Sequence, residues 1–133
     1  MMGLIKYWKP FEVHAVERAL SEYKNCVFDF GASHSVYEKE ELFSRVQNAL
    51  APFDYVILLL PSPNLDESVK ILNARFSKLL EREVGKVDPK LLDLNEHFVK
   101  HPSNRQLAKM TIYTEGKFPE ETCDEILEKV TGG

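Results

Sequence analysis

Tyr55-Val56-Ile57-Leu58-Leu59-Leu60-Pro61 is the longest apolar run of the chain and the stretch on which the reading of the fold turns. A bilayer span needs about twenty apolar residues, so a run stopped this early by Pro61 reads as a strand buried on both faces. Upstream, Leu42, Phe43, Val46, Ala49 and Leu50 recur at helical spacing and end at Pro52. Before that helix, Cys26-Val27-Phe28-Asp29-Phe30 is rich in strand formers and is closed by Gly31, which opens the loop Gly31-Ala32-Ser33-His34-Ser35. Strand, helix and strand in this order form a β-α-β unit.

Outward from that unit the helical signals continue. Pro10 suits a first helical turn, and Val13, Val16, Leu20 and Tyr23 predict a helix over 11–23. After the Pro61-Ser62-Pro63 turn, Asn64 with Glu67 resembles a capping box, and Val69, Leu72, Phe76, Leu79 and Leu80 line one face of a long helix. Charge rises and periodicity fades across Glu81 to Lys90, where Gly85 and Pro89 interrupt any regular element; 81–105 is expected to be a mobile, lid-like excursion. A helix from about Asn95 is bent at Pro102, and a strand covers Met110 to Tyr113. The last helix enters at Pro119, carries Glu120 and Glu121 in its first turn, and places Cys123, Ile126, Leu127 and Val130 on one face. The expected fold class is therefore α/β, a parallel sheet with flanking helices in one domain over 1–133.

Composition limits the function classes. The chain has 133 residues, 44% of them hydrophobic, and a formal charge of -4 with acids and bases mixed rather than blocked. No basic surface of the kind nucleic acid requires is expected, and no membrane span. The N-terminus offers no apolar signal core, and Cys26 and Cys123 are expected to be reduced core residues, which together predict a cytoplasmic protein. Ligands of parallel sheets bind at the carboxyl ends of the strands, which places Asp29 to Ser35, Pro61 to Asn64 and Thr114 to Phe118 along one rim.

Four segments in this order resemble the shikimate kinase-like branch of the P-loop kinases. Trp8-Lys9-Pro10-Phe11-Glu12 looks like that family's Phe-Arg-x-x-Glu segment, with Lys9 and Glu12 at the matching positions. Val27 to Ser33 is similar to the strand and small-residue loop that lie against the substrate. Tyr55 to Pro61, with Asp66-Glu67-Ser68 and Asn73-Ala74-Arg75, resembles the strand and helix leading to the lid. Leu107 to Thr114 and Gly116 to Glu121 resemble the final strand, adenine loop and helix. The resemblance implies a P-loop NTPase-like sheet and an ATP-dependent small-molecule kinase using ATP and Mg2+. It further implies substrate contacts at Lys9, Glu12, Gly31, Ala32, Ser33 and His34, and an arginine-like grip on a substrate carboxylate at Lys100 or His101. Nucleotide contacts are implied at Arg75, Lys117 and Pro119, and a carboxylate that orients water around magnesium at Asp29.

No G-x-x-x-x-G-K-[ST] occurs in the chain, and with it are missing the amides, lysine and hydroxyl that cradle phosphates and magnesium. The phosphate loop and first strand of such a kinase are thus not among these residues, and the chain is expected to be a truncated form, inactive alone. Without the first strand, two apolar edges must close by direct pairing, by a rearranged sheet, or against another chain. A non-catalytic module that self-associates or pairs with a partner, and a chain complemented by a separate phosphate-loop polypeptide, are the competing readings. Asp29-Phe30-Gly31 matches the protein-kinase metal triplet, but no H-R-D loop accompanies it. His97 and His101 are four apart without a third ligand at a recognisable spacing, so no metal site is assigned. Ser33, Ser35 and Ser62 lie in no G-x-S-x-G elbow.

Overall fold

The computed structural model describes residues 2–132, in the order α1 (Met2–Glu22), a 3-10 turn (Ala32–Ser35), α2 (Glu40–Leu50), β1 (Ile57–Leu60), α3 (Leu65–Glu83), α4 (Pro89–Lys100), α5 (Ser103–Leu107), β2 (Met110–Tyr113) and α6 (Pro119–Val130). The class is α/β. Its sheet has two parallel strands, with Ile57 opposite Met110 through to Leu60 opposite Tyr113. The amides of Lys109 and Met110 donate to the Val56 carbonyl, and that of Thr114 to Leu60. Since alternate residues of a strand address opposite edges, Ile57 and Leu59 turn their backbone groups away from β2.

Two apolar clusters hold the helices. Val13, Val16 and Leu20 of α1 pack with Leu42, Val46 and Leu50 of α2, together with Tyr37 and Leu107. Leu60, Val69 and Val99 join β1 to α3 and α4. The spacings that predicted α2, α3, β2 and α6 are those observed, and the Asn64 side chain caps α3 by accepting from the Glu67 amide at 3.0 Å. At the C-terminus of α3, Gly85 takes φ 84°, a conformation that suits glycine.

Several expectations are corrected. Residues 26–30 form no strand: Cys26 is exposed and Val27 is 98% exposed, while Phe28 and Phe30 rest against the first cluster. The inward and outward alternation of a strand is present, but no neighbouring segment supplies the ladder that would make it one. The direct pairing of 26–30 with β1 is thus not formed. Cys123 is exposed as well, so both thiols are free but neither is in the core. Leu127 is exposed too, so the apolar face of α6 is uncovered at Cys123 and Leu127 and half-buried at Ile126 and Val130. Helix α1 starts at Met2 and contains Pro10, because proline's fixed φ is helical and its ring costs only the bond to the Lys6 carbonyl and local bending. Tyr23 lies past its end and is exposed. Helix α4 begins at Pro89 rather than near Asn95; Asp88 caps it by accepting from the Lys90 amide at 3.0 Å. Pro102 separates α4 from α5 instead of bending one helix. Among the described residues no helix is long and apolar enough to cross a membrane.

Replacing Asn64 by alanine removes the side chain that accepts from the Glu67 amide. The expected outcome in urea denaturation is a loss of about 1 kcal/mol with an unchanged denaturant slope; no loss would mean that water serves that amide equally well.

Candidate functional site

Packing of α1 in the first cluster brings the Lys9 side chain against the 3-10 turn. Lys9 is only 9% exposed, and its ammonium donates to the Ser33 carbonyl and lies 2.9 Å from Glu12 Oε2. The Ser33 hydroxyl donates to the other carboxylate oxygen, Glu12 Oε1, at 2.8 Å. A buried ammonium must be compensated, and here a carboxylate, a carbonyl and the Tyr37 ring 4.9 Å away do so. Glu12 Oε2 is buried with the ammonium as its ion-pair partner but no aligned hydrogen bond. Tyr37 donates its hydroxyl to the His34 carbonyl at 2.6 Å. Burial, and then the charge of Glu12, push its phenol well above the ordinary range, so it remains a donor.

His34 closes the group. Its Nδ1 is buried without a partner and lies so near Gly31 that a Cβ built there would approach to 2.9 Å. Glycine is therefore what lets the imidazole settle over the loop. Asp29, Gly31 and His34 border an open cavity of about 190 Å3 that Ala15, Val16 and Phe28 also line. Of Ala32 only the backbone, which opens the turn, is described. Thus Lys9, Glu12, Gly31, Ser33 and His34, chosen from two separate segments of sequence, are adjacent in space, and Asp29 stands exposed at the edge of the same cavity.

The remaining predicted residues divide. Lys100 is engaged by Asp66 at 2.7 Å and Glu96 at 2.9 Å, and those hydrogen bonds raise its pKa. Its charge is therefore spent on α3 and α4. His101 accepts at Nδ1 from the Ser103 amide at 3.1 Å, and burial first, then the field of His97, Lys9 and Arg105 against that of Glu38, lowers its pKa. His97 sits between, 3.0 Å from Glu38 and with its ring centroid 5.5 Å from that of His101. Arg75 is exposed on α3, Lys117 pairs with Glu125, and Pro119 is in the first turn of α6. Among the described residues no hydrogen bond or ion pair joins these three to the Lys9 group. No group of three or more His, Cys, Asp or Glu suited to a metal occurs among them either.

Several contributors carried no signal in the sequence. Ser103 donates its hydroxyl to the Ser35 carbonyl at 2.6 Å, the Ser35 hydroxyl donates to Asn104 Oδ1, and the Asn104 amide donates to Phe98. Small polar residues in a four-residue turn and a five-residue helix have no period to reveal them; only the buried pair Val36-Tyr37 marks this region as packed. Comparison of the chain with protein-family models, with curated proteins and with solved structures gave no match.

His101 gives the site a pH dependence. Its folded pKa lies below the unfolded value, so the unfolded chain binds more protons in the window below about pH 6.5. Stability therefore rises with pH through that window and is lost on acidification. Thermal melts between about pH 5 and pH 8 are expected to show this slope, and His101→Asn to flatten it.

Proposed function

We propose that this chain carries the acceptor side of an ATP-dependent small-molecule kinase resembling the shikimate kinases, and that it is inactive without a phosphate loop supplied from outside these residues. The single observation that supports the reading is the Lys9, Glu12 and Ser33 network, in which residues singled out by the resemblance from segments 24 apart meet in one buried ion pair and hydrogen bond. Such a group positions a hydroxylated anion: a cation for the carboxylate, a carboxylate and hydroxyl for its oxygens. What it lacks, among the described residues, is a concentration of donors for a triphosphate, since Arg75 is on α3 and Lys117 is in the loop before α6, paired with Glu125. ATP and Mg2+ would accordingly be held mainly by the missing loop, with Arg75, Lys117 and Pro119 contributing at the base.

The purified chain, melted with increasing concentrations of hydroxylated carboxylic acids and separately with Mg-ATP, tests this. A ligand that binds only the folded form raises the melting temperature. The expected result is a saturable rise with at least one hydroxy acid, lost in Lys9→Met, and no ATP turnover. A cooperative melt indifferent to every acid and to Mg-ATP would overturn the reading.

A second reading rests on a different observation. Leu4, Tyr7, Trp8 and Phe11 fall at the spacing of one helical face of α1, and each is at least half exposed. Their rings already touch, with centroids 5.5 to 5.8 Å apart. As a self-associating module, the chain would pack this face on that of a second copy. Sedimentation equilibrium should then give a dimer that Trp8→Glu dissociates; a monomer at all concentrations removes this reading.

A further inference from the structure

The nature of the acceptor can be narrowed from a second cavity, also of about 190 Å3, that has Lys9 in its wall. Its interior is apolar: Val36 and Leu42, 2% and 7% exposed, with Ile5 and Phe98. Its other residues are Lys6, Lys39, His97 and Glu38, so that with Lys9 three lysines face one glutamate in a chain whose net charge is -4. Glu38 Oε1 lies 3.0 Å from His97 Nε2, and Lys9 is paired with Glu12. Lys6 and Lys39 make no ion pair among the described residues, so two exposed ammoniums at an apolar hollow face the single carboxylate of Glu38.

Size and polarity then select a ligand class. A dry apolar cavity of about 150 Å3 accepts benzene, so this volume admits one six-membered ring with a small substituent. A ring hydroxyl turned onto Val36, Leu42, Ile5 or Phe98 would find no donor or acceptor in those side chains, which weakens binding by roughly tenfold for each one buried. A carboxylate at the mouth would instead meet Lys6 and Lys39.

We infer that this cavity takes a monocarboxylate with a compact, sparsely hydroxylated ring, the ring on Val36, Leu42 and Phe98 and the carboxylate between Lys6 and Lys39. The inference rests on the reading of the Lys9 group as an acceptor site and makes that acceptor an apolar-bodied acid rather than a heavily hydroxylated one.

Calorimetric titration of the full chain with benzoate, benzyl alcohol and a polyhydroxylated cyclohexanecarboxylate decides the matter. Benzoate is expected to bind saturably and about tenfold or more tighter than either of the others, because only it offers both ring and charge. The double variant Lys6→Met/Lys39→Met, at exposed side chains, is expected to weaken benzoate about tenfold without lowering the melting temperature of the free chain. Leu42→Phe, which fills the hollow, should abolish it. Benzoate binding no tighter than benzyl alcohol, or unaffected by the double variant, overturns the inference. If the polyhydroxylated acid binds in a Lys9-dependent manner and benzoate does not, this inference falls and the proposed function stands. If benzoate binds as expected while no hydroxy acid responds to Lys9→Met, the cavity assignment stands and the kinase reading falls; if no carboxylate binds, both fall.

Discussion

The buried charge of Lys9 is the constraint on which this site depends. Removing an ammonium from water costs several kcal/mol even after the protein relaxes, and α1 offers only one nearby compensation of its own, Glu12 three residues on. The rest must come from elsewhere in the chain, and it comes from the Ser33 carbonyl and the Tyr37 ring. The 3-10 turn of Ala32–Ser35 is therefore fixed by an electrostatic requirement as much as by its own backbone bonds. Once it is fixed, Tyr37 is drawn under α1 and α2 into the first apolar cluster, and Ser35 is presented to Ser103 and Asn104. Hydrogen bonds between this ion pair and Ser33 thus tie α1 to the turn, and those between Ser35 and Ser103 and Asn104 tie the turn to α5.

The sheet is governed by a different scarcity. Two parallel strands bond to each other along one edge and leave Ile57 and Leu59 with their other edge open; Leu59 is 51% exposed. A two-stranded sheet is marginal unless helices cover it, and here α3 and α4 do so on the side of Leu60. Helix α6 contributes less, since Leu127 and Cys123 remain outside. Residues 26–30 are caught between these facts. Phe28 reaches Phe53 edge to face, with centroids 6.5 Å apart, just ahead of β1, yet the intervening backbone has no partner. Apolar contacts hold the segment extended without making it a strand.

The sequence was legible where a signal is local. Asn64 and Pro119 mark helix starts through their own chemistry, and Met110–Tyr113 is a strand by composition and by its place after a helix. It was misleading where the outcome depends on a neighbour. Whether Cys26–Phe30 becomes a strand depends on a ladder that no local pattern encodes, and its alternation is equally that of a half-buried extended loop. Pro10 was read as a helix start because proline is favoured there, whereas Met2–Trp8 contains nothing to prevent the helix from running through it. The candidate site shows the same division. That Lys9, Glu12, Ser33 and His34 lie together agrees with their selection by segment order, whereas the ion pairs of Lys100 with Asp66 and Glu96 left no trace in that order.

That redistribution of charge bears on what the site can do. Phosphoryl transfer places several negative charges on a few oxygens, and catalysis consists largely of positioned donors that stabilise them. A cation serves that purpose only if its charge is not already neutralised. Lys9 is paired with Glu12, Lys100 with two carboxylates and Lys117 with Glu125, so the cations that the resemblance assigns to substrate and nucleotide are largely balanced within the chain. A balanced pair orients a ligand by exchanging hydrogen bonds at small electrostatic cost, which suits the recognition of a monoanionic acceptor. It does not suit a triphosphate, whose charge needs uncommitted amides and lysines. In the reading proposed here, acceptor recognition and phosphate chemistry are therefore separable tasks: the first falls to Lys9 and its partners, and the second to a loop that must bring its own positive field.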